Sequence, residues 1–379
     1  MLLAVLFAGI FSVWAAILYF HLRHAGLSAL VLVAPLPFLF AACLLWRRFA
    51  GATEVFAEIY VPASYVLGVI LAQMVAARIA RGICDGLTPR IAVGQALGTP
   101  LKVFGPVALC FLAWMLLSDV HPFVLENIAA AAAVALAAAL AGTSIVMLLA
   151  AAFPYTEPFI ARFNHAREER ERLMDHLLFV TEPRWSLSLA GVVLIFVALS
   201  VFGMRPLQVQ ADPWLVARLA LLAVFVLGGA LGATRDWRLA IAETLTLFLL
   251  GAFGFWAFAR GFTPLLRDDV LVVTILLATV AVPLTAFAVA ASNCLRDGDD
   301  IVFALSHSLQ ERGAEAVLSA GLTAVPWIVF AAAGASVRSE LAIAVTSCFA
   351  VPLIFPALAG AIYALLPRYR TVDEVFGKR

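Results

Sequence analysis

The sequence predicts an all-α fold: a polytopic membrane helix bundle of about eleven transmembrane helices in two weakly similar halves. Hydrophobic residues make up 64% of the 379-residue chain and charged residues only 13%, and the mean hydropathy is +1.03. Soluble domains are about 45–50% apolar and about 25% charged, because polar groups must cover their surface. Apolar runs such as 129–152 do not alternate with polar residues, which favours membrane helices over a closed barrel.

Eleven apolar segments are close to or above the length of about 20 residues that a helix needs to cross a bilayer. The predicted spans are 2–20, 28–46, 58–77, 101–118, 124–152, 184–203, 214–233, 238–258, 270–292, 314–334 and 338–366.

The spans divide the chain into two halves joined by a charged segment. Residues 1–152 form the first transmembrane half with five helices, and 184–379 form the second with six. Between them, 153–183 contains AREERERLMDHL, which predicts an amphipathic linker helix on the cytoplasmic side. This helix either lies on the inner membrane surface through its Leu173 and Leu177 face or is a solvated linker. The semi-polar segments 78–90 and 293–313 both precede a span, which indicates a weak internal duplication.

The basic residues predict the orientation. If the N-terminus is outside, 18 of the 25 Lys and Arg residues fall in inside loops and seven in outside loops. The positive-inside rule therefore predicts a bacterial inner (plasma) membrane protein with its N-terminus outside and its C-terminus cytoplasmic. A net charge of +1 gives no basic field for nucleic acid. Five scattered cysteines form no CxxC pair, so we expect neither a metal nor another cofactor.

Several segments carry a family resemblance. They are ERGAEAVLSAGLTAVPW, SVRSELAIAV and PLIFPALAGAIYALLPRYR in the second half, and LTPRIAVGQAL and SDVHPFVLENI in the first. This arrangement resembles the transmembrane part of the resistance-nodulation-division superfamily, especially its MmpL-like, lipid-exporting branch. The family has twelve helices, and loss of the first would leave eleven with the N-terminus outside.

Two departures from the family limit what the resemblance implies. Only about ten residues, 203–213, separate the sixth and seventh predicted spans, which leaves no room for an outer porter domain. Where the family carries a mid-membrane acidic residue, this chain has Ile70. The resemblance therefore implies a membrane core without outer domains, one that works with a separate periplasmic or membrane protein, and it gives no basis for a proton relay.

The densest polar cluster follows the ninth predicted span. It is either an ion or head-group site at the inner mouth, or a solvated loop in which Asp299 or Asp300 caps the next helix. Its members are Asn293, Arg296, Asp297, Asp299 and Asp300.

Three further acids are candidates. Glu54 and Glu58 share a helix face at the outer start of the third span. They form either a salt-bridged rim or an outer gate or partner contact. Glu243 lies inside the eighth span; it either reaches back to Arg235 or Arg238, or faces the bundle interior and becomes the best proton-coupling candidate.

These features predict a transporter, or the membrane subunit of one, for a hydrophobic or lipid-like substrate, with membrane lipid as a partner. Prolines at 62, 283, 326 and 352 fall inside spans, and such breaks often line transporter cavities. The alternative is a non-transporting scaffold that assembles other subunits of a larger complex. The sequence contains no HExxH, GxSxG or Walker loop, so we expect no enzyme.

Overall fold

The computed structural model describes residues 2–49, 54–96, 143–146, 148–203, 213–260, 267–333 and 338–366, and the regular elements within these ranges are all helical. Among them, α5 comprises 89–96 and α6 comprises 143–146 and 148–151. The other helices are α1 (Leu2–Leu22), α2 (Ala25–Val33), α3 (Leu36–Phe49), α4 (Glu54–Cys84), α7 (Glu157–Asp175), α8 (Pro183–Gly203), α9 (Pro213–Thr234), α10 (Trp237–Arg260), α11 (Arg267–Asp297), α12 (Ile301–Ala332), α13 (Arg338–Phe349) and α14 (Phe355–Leu365).

The all-helical fold and its membrane character are confirmed. Within the described part of the chain, five helical segments are long and apolar enough to cross a membrane: Val5–Leu22, Tyr65–Cys84, Thr279–Asp297, Ile301–Ala332 and Ala344–Leu365. Three shorter apolar helical segments lie at Ala25–Ala41, which includes the turn between α2 and α3, at Pro183–Ile195 and at Ala223–Thr234. The predicted span 101–118 and most of 124–152 lie outside the described residues, so the count of about eleven stays a prediction.

Prolines divide two of the predicted spans. The predicted helix 28–46 is interrupted after Val33, where Ala34 and Pro35 form a turn between α2 and α3. The predicted helix 338–366 contains a π-helical turn, Ala350–Ile354, around Pro352. Proline has no N–H and its ring collides with the carbonyl four residues earlier. The helix is broken at Pro35 and is widened to a π turn at Pro352.

Pro326, by contrast, lies inside an unbroken α12. Because proline cannot donate, the carbonyl of Leu322 loses its helical partner. The indole nitrogen of Trp14 on α1 donates to that carbonyl at 2.8 Å, and the bond is buried. A side chain from the first half thus satisfies the backbone gap that the proline opens in the second half.

The two halves meet where α4 packs against α11 and α12. Ile70 and Met74 on α4 are buried, as is Phe287 on α11. The ring of Phe287 meets the ring of Phe355 on α14 edge-on, with centroids 5.4 Å apart. The helix α10 packs against α9, α11, α13 and α14, so a side chain on its inner face lies deep within the second half.

The linker helix α7 packs against α12 and also buries a face that the sequence did not single out, with Phe159 and Phe163. On the predicted apolar face, Leu173 is 59% exposed and Leu177 is partly buried against the core. Because α7 marks one end of the bundle, that end is called the α7 end below. The turn from α1 into α2 lies there, as shown by the 3.6 Å ion pair between Arg23 and Glu169 of α7.

His24 caps α2 at this turn. Its Nδ1 accepts from the backbone nitrogens of Gly26 at 3.1 Å and Leu27 at 3.3 Å. Histidine can do this only with an unprotonated Nδ1. Burial, with a smaller contribution from Arg162, lowers the pKa of His24 below its ordinary value and so favours the capping form.

Candidate functional site

Glu243 faces the bundle interior. It lies on α10, is 1% exposed, and its Oε1 is hydrogen-bonded to the hydroxyl of Thr285 on α11. Its Oε2 has no partner among the described residues. No ion pair in the described ranges joins it to Arg235 or Arg238. Of the two orientations the sequence left open, the structure has the inward one.

The hydroxyl of Thr285 is also 2.8 Å from the backbone carbonyl of Ala281. A hydroxyl carries a single proton, so it cannot donate to Glu243 and to this carbonyl at once. When Thr285 donates to the carbonyl, the contact with Glu243 is a hydrogen bond only if the carboxyl group supplies the proton. The geometry therefore accommodates Glu243 in both its protonated and its ionised form.

Arg238, which the sequence offered as a partner for Glu243, is held elsewhere. Its guanidinium lies over the rings of Trp237 and Tyr363, 5.4 and 4.8 Å from their centroids. The Tyr363 hydroxyl on α14 donates to Asp236 at 2.5 Å. Asp236 in turn caps α10 by accepting from the backbone nitrogen of Arg238 at 2.9 Å. These contacts fix the start of α10 against α14, so Arg238 does not pair with Glu243.

The predicted acidic cluster lies in the turn between α11 and α12. Asp300 caps α12 by accepting from the Phe303 backbone nitrogen at 2.6 Å, as one of the two alternatives predicted. Arg296 donates to the carbonyl of Thr234, at 2.5 Å, instead of to a carboxylate. Asn293, Asp297 and Asp299 are exposed. No described contact gathers these side chains, so the ion or head-group role stays a prediction.

The outer pair, Glu54 and Glu58, falls at the beginning of α4. Their side chains lie outside the described residues, so the gate or partner role also stays a prediction.

The largest buried charge network among the described residues lies at the α7 end, and the sequence analysis did not predict it. We call it the arginine–glutamate cluster; it comprises His21, Arg78, Arg81, Arg170, Glu311, Arg312 and Glu315. It joins α1, α4, α7 and α12, and hence both halves and the linker helix.

Two arginines and two glutamates form the centre of the cluster. Arg81 lies 3.1 Å from Glu311 and 3.8 Å from Glu315. Arg312 lies 2.7 Å from Glu311 and 3.2 Å from Glu315. Each arginine thus contacts both carboxylates, and the four formal charges cancel.

The remaining cations have no carboxylate of their own. Arg78 is 8% exposed, and its three guanidinium nitrogens have no hydrogen-bond partner among the described residues. Arg170 donates to the carbonyl of Ala166 at 3.0 Å and to that of His21 at 3.2 Å, and it contacts His21 Nδ1. Burial lowers the pKa of Arg170 to about 10, against the opposing effect of Glu315.

A signal for this cluster was present in the sequence. Arg78 and Arg81 are three residues apart and Glu311 and Glu315 are four apart, so each pair shares a helix face. The predicted spans ended at 77 and began at 314, which assigned three of these four residues to loops. The helices continue through them, from 54 to 84 and from 301 to 332.

A smaller polar contact lies deeper between the halves. Gln73 on α4 is fully buried, and the hydroxyl of Ser319 on α12 lies 3.5 Å from its Oε1. Gln73 Nε2 has no partner in the described part of the chain. Gln73 lies one turn from Ile70, where the resembled family carries its acidic residue, so an amide comes close to that place without supplying a charge.

Known proteins match this chain in structure but not in sequence. No family model and no curated protein matches it. A crystal structure of SecDF in a super-membrane-facing form matches with a TM-score of 0.60 at 12% identity, over 94% of this chain and 61% of that one. A second, of SecDF from Thermus thermophilus, described as a translocon-associated membrane protein, has a TM-score of 0.46 at 12% identity, over 89% of this chain and 62% of that one.

At 12% identity the first match establishes the fold. The comparison supports the all-helical membrane fold predicted from the sequence. It does not single out the lipid-exporting branch. The chain spans about 61% of the length of the SecDF chain it matches.

Proposed function

We propose that this chain is the membrane core of a transporter of the resistance-nodulation-division kind, or the membrane subunit of one, in the bacterial inner membrane. Its substrate is hydrophobic or lipid-like, and Glu243 couples its movement to protons. The orientation is N-terminus outside and C-terminus cytoplasmic. The shared fold with SecDF supports the general class. The proposal assigns no enzymatic reaction to the chain.

The observation that carries the proposal is the buried carboxyl group of Glu243. An ionisable side chain inside a membrane bundle is costly, and such residues commonly mark proton pathways. Glu243 contacts a hydroxyl on the neighbouring helix and has one oxygen free of described partners. When it gains a proton it suits an apolar interior; when it loses one, α10 and α11 must rearrange to solvate the charge.

The surroundings of Glu243 support an apolar substrate. One turn to either side on α10, Leu239 and Leu247 are buried, and the buried hydroxyl of Thr246 already donates to the carbonyl of Ala242 at 2.7 Å. A pathway for ions or sugars would require more hydrogen-bonding groups here, because polar cargo must replace its water shell.

Proton flux into proteoliposomes tests the coupling role. Vesicles with a trapped pH-sensitive dye receive a pH jump, with and without a fluorescent phospholipid as cargo. We expect Glu243→Gln to abolish lipid-dependent flux, since the amide cannot exchange a proton. Glu168→Gln, an equal change at an exposed position on α7, should behave as wild type. Undiminished flux in Glu243→Gln would refute the role.

The second candidate is a non-transporting membrane subunit that assembles other proteins. It is favoured by the fold shared with SecDF, a protein described as translocon-associated. Native mass spectrometry of the gently extracted protein separates the two candidates. A fixed lipid stoichiometry with no other chain supports the transporter, and a stoichiometric protein partner without specific lipid supports the subunit.

A further inference from the structure

The arginine–glutamate cluster has more hydrogen-bond donors than it can use. Its buried side-chain atoms without a partner among the described residues include His21 Nε2, the three guanidinium nitrogens of Arg78 and Arg312 Nε, and the adjacent Arg23 adds its Nε. All of these are donors, because His21 Nδ1 faces the guanidinium of Arg170 and must be the accepting nitrogen of the ring. The one unpartnered acceptor of the cluster, Glu315 Oε1, lies 3.8 Å from Arg81.

The formal charges of the cluster are also unbalanced, with more cations than anions. Arg81 and Arg312 are neutralised by Glu311 and Glu315. Arg78 then remains as a buried cation without a carboxylate or a hydrogen-bond partner among the described residues, whereas the partly buried Arg170 bonds only to neutral groups of Ala166 and His21. A buried charge that is neither paired nor hydrogen-bonded is strongly destabilising. A ligand that fits this place therefore carries negative charge and several acceptor oxygens.

The depth of the cluster indicates where such a ligand comes from. Arg23, whose side chain is 26% exposed, lies at the rim beside Arg170 and places its guanidinium 4.4 Å from the ring of Phe20. Trp185 and Trp237 begin the neighbouring helices α8 and α10 and are 56% and 48% exposed. Exposed aromatic side chains at helix ends are typical of the level of the lipid head groups.

We propose that Arg78 binds the phosphate group of an anionic membrane phospholipid at the α7 end of the bundle, with Arg170 and Arg23 at the rim. The phosphate oxygens accept from the free guanidinium nitrogens of Arg78, and the negative charge balances this unpaired cation. Arginine is the side chain best suited to this, because its planar fork matches phosphate geometry. The bound lipid would connect α4, α7 and the turn after α1. The proposal does not depend on proton coupling at Glu243.

The test compares lipid binding to matched variants of the full chain. Delipidated protein in detergent is titrated with phosphatidylglycerol, with diacylglycerol and with inorganic phosphate. Binding is followed by native mass spectrometry and by thermal unfolding. We expect one phosphatidylglycerol per chain and a rise in unfolding temperature, with no effect of diacylglycerol. Arg170→Gln should weaken binding about tenfold or more, since a hydrogen bond to a charged group contributes about 1.5–3 kcal/mol. Arg172→Gln, on the exposed side of α7, should not.

Arg78→Met distinguishes a binding role from a structural one. If the guanidinium awaits a ligand, methionine removes an unpaired buried charge, so the delipidated variant should be at least as stable as wild type. It should also lose the stabilisation by phosphatidylglycerol.

Three outcomes decide the proposal. Stabilisation by inorganic phosphate alone, abolished by Arg78→Met, would support the phosphate chemistry and assign the site to free phosphate. Phosphatidylglycerol binding that Arg78→Met leaves unchanged would overturn the proposal. So would a delipidated Arg78→Met variant that is less stable than wild type and retains its response to lipid.

Discussion

The substitution Glu315→Gln probes the arginine–glutamate cluster at its centre. The Glu315 side chain is 6% exposed, 3.2 Å from Arg312 and 3.8 Å from Arg81. Glutamine keeps the shape but removes a negative charge from a site that already contains more cations than anions. Removing one partner of a buried pair costs about 3–5 kcal/mol, because the opposite charge remains desolvated.

Glu311→Gln is the matched control. Glu311 contacts the same two arginines at 3.1 and 2.7 Å, but its side chain is 29% exposed, so water can solvate what the substitution leaves behind. We expect this variant to lose about 1 kcal/mol. The free energy of unfolding, measured by denaturant titration in lipid–detergent micelles, should therefore fall about 2 kcal/mol or more further for Glu315→Gln.

A double variant adds a test of charge balance. Arg78→Met on the Glu315→Gln background removes one unpaired cation, so the pair should be less destabilised than Glu315→Gln alone. This charge balance is refuted if Glu311→Gln lowers the free energy of unfolding as much as Glu315→Gln does. It is also refuted if the effects of the two substitutions on that free energy are additive in the double variant.

Three further predictions concern helix contacts. Gly360→Ala would place a Cβ 2.5 Å from a serine hydroxyl on α8, so we expect a loss of about 1–3 kcal/mol in unfolding free energy; Gly228→Ala, which meets no atom within 4 Å, is the control and should show no such loss. His24→Leu should cost about 1 kcal/mol and His24→Asn much less, because asparagine can cap α2. Since the folded pKa of His24 is lowered, its contribution is present above pH 6.5 and is lost as the pH falls below it; a wild-type stability no more pH-dependent there than that of His24→Asn would contradict this. Trp14→Phe leaves the carbonyl of Leu322 without a donor and should lower the thermal stability by about 1–3 kcal/mol, whereas an unchanged melting curve would show that another group replaces the indole.

The sequence was sufficient to locate the helices but not to predict which face of each helix is buried. Apolar length alone located α1, α8, α9 and α10 to within three residues at each end, since the bilayer sets the length of a span. In a helix that is apolar on all sides, periodicity does not show which side is buried. The direction of Glu243 therefore needed the packing of α10 against α11, which only the structure supplies.

The charged helix ends were misjudged for a related reason. A hydropathy window ends a predicted span where charged residues begin, although the helix continues through them. Arg78 and Arg81 continue α4, and 301–313 form the first part of α12 behind the Asp300 cap. Charges that pair across helices can be buried at positions where the sequence of one segment alone predicts exposure to water. Arg81 and Glu311 are 230 residues apart in the sequence, so no local sequence pattern predicts that they pair.

The π-helical turn at Ala350–Ile354 has a consequence for comparing this chain with its relatives. A π turn holds about one residue more than an α turn, and one residue corresponds to about 100° of rotation about a helix axis. The side chains of α14 are thus offset in azimuth from those an uninterrupted α13 would present. A relative lacking one residue at this place would form a continuous α-helix, so an alignment with such a relative needs a one-residue gap at 350–354, and corresponding faces should be assigned separately before and after it.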